Sequence, residues 1–152
     1  MTRPRVAVLA QDLIWADRLA RAVEAAGGEP ARAKTAPELD RALVCADHII
    51  VDLVASTYDP IAAIERSRSA GAHILAVGPH DDQALRKRAF AAGADRVLAY
   101  RKLFKDGPGT LRRWLASEAG VPTGADRDAE APAAGGSTAD PAPATGPVSN
   151  PR

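Results

Sequence analysis

Cysteine is nearly absent from this chain. Cys45 is the single one in 152 residues, so no intrachain disulfide can form. Aromatic residues are scarce too, two each of Trp, Tyr and Phe, and they do not alternate with basic residues as a single-strand nucleic-acid platform requires. Long apolar runs are missing. The run Val6 to Ala10, preceded by Arg3 and Arg5, is too short for a signal-peptide core, and nothing approaches the length of a membrane span. A cytoplasmic protein without membrane contact is therefore expected. No glycine-rich phosphate cradle follows that first run, and neither His73 nor His80 has a Ser or Cys nucleophile beside it. No nucleotide motif or catalytic pair is legible, and no enzyme activity is expected.

What the chain does have is a set of short apolar runs separated by helical patterns. The run around which the rest is arranged is Asp47-His48-Ile49-Ile50-Val51-Asp52-Leu53. It is apolar without alternation and rich in β-branched residues, the pattern of a strand covered on both faces. Asp52 then lies where the strand leaves the sheet. In open parallel sheets the carboxyl ends of the strands form the ligand crevice, so Asp52 is the first candidate for chemistry.

The neighbouring segments complete the pattern. Arg5–Ala10 is a predicted strand, followed by a helix with Trp15, Leu19, Ala22, Val23 and Ala26 on one face and Gly27-Gly28 as its stop. Residues 29–34 form a weak edge strand. Thr35, Pro37 and Glu38 make a capping box that opens the next helix, and Asp59-Pro60 opens another that Gly71 ends. His73–Val77 is a strand that stops at Gly78-Pro79. Asp81 or His80 caps the following helix, which ends at Gly93, and Arg96–Tyr100 is the last strand. Gly107-Pro108-Gly109 leads to a final helix with Leu111, Trp114 and Leu115. Five strands alternating with five helices predict an α/β domain over residues 1–120. It is a five-stranded parallel sheet of flavodoxin-like (βα)5 type, with strand order 2-1-3-4-5.

Beyond this the composition changes. Residues 122–152 hold 6 Pro, 4 Gly and 8 Ala, and their one large aliphatic side chain is Val148. Such a segment buries too little apolar surface to offset its conformational entropy, so residues 121–152 are expected to be a disordered tail. The formal net charge of +1 conceals a division between the two parts. Residues 1–115 carry 18 Lys/Arg and 14 Asp/Glu, whereas 116–152 carry 2 and 5.

The Ile-Ile-Val-Asp-Leu strand, the Ala92-Gly93-Ala94-Asp95 turn and the order of elements together resemble the receiver domain of bacterial response regulators, over about residues 4–118. The resemblance implies that Asp52 matches the aspartate that accepts a phosphoryl group from a histidine kinase. It puts the two Mg²⁺-binding acids at Ala10 and Gln11, with Asp12 one place late. The hydroxyl residue at the end of the fourth strand becomes Gly78, and the phosphate-binding lysine with its proline becomes Tyr100-Arg101. Phosphoryl transfer depends mainly on positioning and charge neutralisation, and Mg²⁺ needs carboxylates in a strict octahedron. Asp52 without these neighbours is a poor site. Tyr100 brings a large ring towards the crevice, and an arginine does not replace a lysine in reach or geometry.

The reading that follows is a stand-alone, pseudo-receiver signalling module that acts through protein–protein contact without phosphorylation and without a cofactor. The alternative is a phospho-accepting regulator in a phosphorelay, using Asp52 and Mg²⁺. The expected partner is a protein, a histidine kinase or other signalling protein, or a second copy in a homodimer. The basic residues Arg86, Lys87, Arg88, Arg101, Lys102, Arg112 and Arg113, expected on the fourth helix, fifth strand and fifth helix, form the candidate partner face. Binding of nucleic acid by that face is a further alternative, disfavoured because no helix-turn-helix pattern follows residue 120. Cys45 and His48 have C-x-x-H spacing, but one such pair is a fragment of a four-ligand set, so no metal site is expected and Cys45 is expected to pack at the end of its helix.

Overall fold

The computed structural model describes residues 3–106 and 108–117, all within a compact unit spanning Met1–Pro122. The expected tail, 121–152, lies outside the described residues. Five strands, β1 (Arg5–Leu9), β2 (Glu29–Ala33), β3 (His48–Asp52), β4 (His73–Gly78) and β5 (Arg96–Ala99), form one sheet of order β2-β1-β3-β4-β5. Every neighbouring pair is parallel. This is the flavodoxin-like arrangement expected from the alternation of elements.

The absence of alternation in β3 has its explanation here. All five of its residues are buried, because helices cover both faces of the sheet. Ile49 lies between Ala7 and Ile74 in the register, and Ile50 between Val8 and Leu75. Successive side chains point to opposite faces, so the strands feed two cores. Leu9, Ile49, Val51 and Ile74 pack with Leu39 of α2 (Ala36–Leu43), Ile64 of α3 (Pro60–Ser69) and Ala89 of α4 (Gln83–Ala92). Val8, Ile50, Leu75 and Leu98 pack on the other side with Leu19 and Val23 of α1 (Leu13–Ala25), Leu103 of α5 (Tyr100–Lys105) and Trp114 of α6 (Pro108–Ala116). Each fully buried aliphatic side chain of this kind contributes about 1.5–3 kcal/mol.

Helix starts follow the local chemistry. Thr35 and Asp59 accept hydrogen bonds from the first-turn amides of α2 and α3, and Glu38 accepts from the Thr35 hydroxyl and the Lys34 amide. The cap of α4 is Asp82, not Asp81 or His80, because Asp82 is the residue whose carboxylate receives the Leu85 amide. Gly93 ends α4 with φ 123, where an added Cβ would stand 2.2 Å from Arg68 Cδ.

Two further expectations change. The last strand stops at Ala99, and Tyr100 opens a six-residue helix, α5, that makes the helices of the described residues six rather than five. No proline follows Tyr100 to hold the chain extended, and the segment Tyr-Arg-Lys-Leu-Phe-Lys buries Leu103 as a helix. Cys45 is exposed rather than packed, since α2 ends at Leu43 and Ala46 is the residue turned inward. No helix of the described residues is long and apolar enough to cross a membrane.

Candidate functional site

Asp52 is the last residue of β3 and only 1% exposed. Its position in the register puts its side chain on the same side of the sheet as Ile50, towards α1 and α5. A carboxylate there requires hydrogen-bond donors, because an unpaired buried charge is costly. Two are supplied. The Val54 amide donates to Oδ1 at 3.1 Å, and the Tyr100 hydroxyl donates to the same oxygen. Burial raises the Asp52 pKa, and nearby Asp12 adds to the rise; the hydrogen bonds from Tyr100 and Val54 oppose it. Burial, and then the Asp52 carboxylate, push the Tyr100 phenol above its ordinary value. The phenol is therefore a neutral donor at physiological pH, in the place where the resemblance would put a cation.

Aromatic rings hold Tyr100 over the carboxylate. Trp15, in the first turn of α1, stacks on Tyr100 with ring centroids 4.3 Å apart, and Phe104 stacks on Trp15 at 5.5 Å. The Arg18 guanidinium lies 5.3 Å from the Trp15 ring centroid. Trp15 was expected on the buried face of its helix, but Ala16, Leu19, Ala20 and Val23 form that face. Trp15 sits instead at the carboxyl end of the sheet and caps the crevice.

The positions that the resemblance assigns to Mg²⁺ are occupied differently. Ala10 is wholly buried, and its amide donates to the Ala33 carbonyl at 3.1 Å. The Gln11 Oε1 receives the amides of Ser56 and Thr57 and the Ser56 hydroxyl, so it ties down the loop after β3. Asp12 is the N-cap of α1, its Oδ1 accepting from Ile14 and Trp15 at 2.8 and 3.1 Å. Its Oδ1 is thus engaged by the first turn of the helix. Gly78 packs against Leu53, and an added Cβ would stand 3.1 Å from Leu53 Cδ1, which leaves little room for a hydroxyl-bearing side chain. Arg101 is exposed and is not among the residues lining the crevice.

Gln11, Asp12, Trp15, Asp52, Ser56 and Tyr100 are among the residues lining a crevice of about 460 Å³. It brings together Asp52 with Gln11, Asp12 and Tyr100, and none of the described residues that line it is basic. A larger depression of about 740 Å³ near Arg3, Arg5, Cys45 and Asp47 lies away from Asp52. Among the described residues no three His, Cys, Asp or Glu side chains gather as a metal site would require.

One residue that sequence reasoning passed over is Tyr58. Its buried hydroxyl donates to the carbonyl oxygens of Asp52 and Leu9, at 2.7 and 3.1 Å, and so fastens together the ends of β3 and β1. Its place six residues after Asp52 carries no signal of this role. The basic residues of the candidate partner face are carried by three helices. Arg86, Lys87 and Arg88 belong to α4, Arg101 and Lys102 to α5 rather than to a strand, and Arg112 and Arg113 to α6. Arg86 donates to the Val97 carbonyl, Arg112 to the Ala25 carbonyl and Arg113 to the Thr110 hydroxyl.

No family model matches the chain, and no curated protein matches it. Solved structures do. A putative response regulator from Chloroflexus aurantiacus is 21% identical with a TM-score of 0.68, covering 76% of this chain and all of the other. A response regulator from Thermotoga maritima is 19% identical with a TM-score of 0.65, covering 76% of this chain and 100% of that one. A third, from Burkholderia pseudomallei, was solved with a phosphorylated aspartic acid, a calcium ion and citrate. It is 22% identical with a TM-score of 0.60, and the match takes in 68% of this chain but only 63% of that protein's length. With a parallel sheet of order 2-1-3-4-5 and helices on both faces, this chain has the fold of the response regulator receiver domain.

Proposed function

We propose that the chain is a receiver-type signalling module, not an enzyme, in which the phosphoryl-accepting switch has been replaced by a fixed contact. The observation that carries the reading is the hydrogen bond from Tyr100 to Asp52 beneath the Trp15 ring. It satisfies the carboxylate with a neutral phenol. Burial raises the Asp52 pKa, which disfavours the ionised form that a divalent cation or a phosphodonor needs. Mg²⁺ does not suit this donor set: Gln11 is occupied by the loop amides, Asp12 by α1 and the Asp52 Oδ1 by Tyr100.

A module of this kind acts through protein contact. The exposed apolar side chains Leu13, Ile14 and Val54, next to crevice residues in the sequence or lining the crevice themselves, support that reading. Phosphoryl acceptance at Asp52 is the second reading, favoured by the placement of Asp52 at the end of β3 in the crevice wall. Incubation with acetyl phosphate and Mg²⁺, followed by intact-mass measurement, separates the two. No Mg²⁺-dependent gain is expected. A gain of one phosphoryl group on the wild-type chain, absent from Asp52→Asn, overturns the proposal.

A further inference from the structure

The other end of the sheet holds a buried polar group that the crevice does not use. His48 and His73 begin β3 and β4 and are direct partners in the register. Parallel strands are about 4.8 Å apart, and these two imidazoles stack with centroids 4.4 Å apart and planes 8° from parallel. Trp114 of α6 meets His48 edge-on at 5.0 Å. His48 is 5% exposed and Trp114 1%. His48 Nε2 and Trp114 Nε1 are buried with no hydrogen-bond partner.

We propose that the stacked His48–His73 pair is a protonation-sensitive latch that holds α6 on the sheet at neutral pH and loosens it in mild acid. Neutral imidazoles stack without penalty, whereas two imidazoliums at this separation repel each other in a poorly solvated layer. The charges around the pair are unequal. His48 Nδ1 lies 2.8 Å from the Asp47 carboxylate, and its Nε2 is buried without a hydrogen-bond partner beside the Trp114 ring. The Asp95 carboxylate is engaged by the Ile74 amide at 2.7 Å. Arg96, buried opposite Leu75, adds positive charge on the same face of the sheet. From β1, Arg5 pairs with Glu29 at 3.3 Å. On α6, Arg112 and Arg113 are exposed and donate to the Ala25 carbonyl and the Thr110 hydroxyl. Burial first, and then the His48 ring, hold the His73 ring below the usual histidine range, while Asp95 and Asp47 pull it up. A proton on the pair is therefore accommodated most readily when the rings part, which lifts Trp114 and α6. This inference is independent of what Asp52 does.

Hydrogen exchange on the full chain at pH 7.5 and 5.0, corrected for intrinsic rates, tests the latch. Residues 108–117 should lose at least tenfold in protection at the lower pH, and β1 and β3 less. His73→Phe keeps a flat ring against His48 but cannot titrate, so its α6 protection should change less than about twofold. Imidazole resonances of the wild type supply a second measurement that needs no variant: the His73 ring should titrate over the interval in which α6 opens. Unchanged α6 protection in acid, an equal loss across the whole sheet, a tenfold loss that persists in His73→Phe, or a His73 titration outside that interval would each overturn the latch.

Discussion

Substituting Tyr100→Phe removes one oxygen atom and leaves the ring in place. The stack on Trp15 at 4.3 Å keeps its partner, so the change isolates the hydrogen bond to Asp52. Asp52 is 1% exposed and would retain only the Val54 amide on Oδ1. A hydrogen bond to a charged group contributes about 1.5–3 kcal/mol, and one between neutral groups about 0.5–1.5 kcal/mol. The variant should therefore lose about 2 kcal/mol near pH 7, a fall in Tm of about 8 °C for a unit of this size. In an Asp52→Asn background the bond is neutral, and the same substitution should cost about 1 kcal/mol. Urea unfolding followed by circular dichroism on the wild type, both single variants and the double variant gives the coupling between the two side chains. An equal cost in the two backgrounds would show that the phenol does not support a charge. No cost in either would refute the contact itself.

The remaining predictions concern the same end of the sheet. Because burial raises the Asp52 pKa in the fold, folding favours the protonated form. The stability from this group is fully present below the unfolded value of about 3.9 and is lost as pH rises through the folded value. Asp52→Asn should thus gain stability over the wild type near pH 7, with the gain shrinking towards pH 4; a variant less stable at pH 7 would contradict the burial argument. Gly78→Thr, which supplies the hydroxyl that the resemblance calls for, should cost about 1–3 kcal/mol by crowding Leu53; a neutral result in thermal melts would mean that Leu53 yields freely. Gln11→Ala should release the Ser56 and Thr57 amides and speed their hydrogen exchange, while amides in the middle of β1 remain protected.

The resemblance found in the sequence was good enough to locate Asp52 and poor at saying what holds it. Ile49, Ile50 and Val51 can be buried on both faces only in a covered parallel sheet, so the pattern of β3 carried the layer architecture with it. Thr35 with Glu38 and Asp59 with Pro60 marked helix starts because a cap reaches amides only two or three residues ahead. The same locality misplaced the cap of α4, where Asp81 and Asp82 are equivalent until the Leu85 amide selects one of them.

Local chemistry in the sequence thus determined the strands, most of the helix ends and the aspartate at the end of β3, and the alternation of strands and helices pointed to the strand order. Only the tertiary structure decided that Tyr100 leaves the sheet to begin a helix, that Trp15 covers it, and that Gln11 and Asp12 serve a loop and a helix. It alone stacked His48 on His73. The physical reason is range. Capping and periodic burial are settled within a few residues of chain, whereas Tyr100 and Asp52 are 48 residues apart and Gln11 and Ser56 are 45 apart. No pattern within a short window states which distant donor will satisfy a buried acceptor.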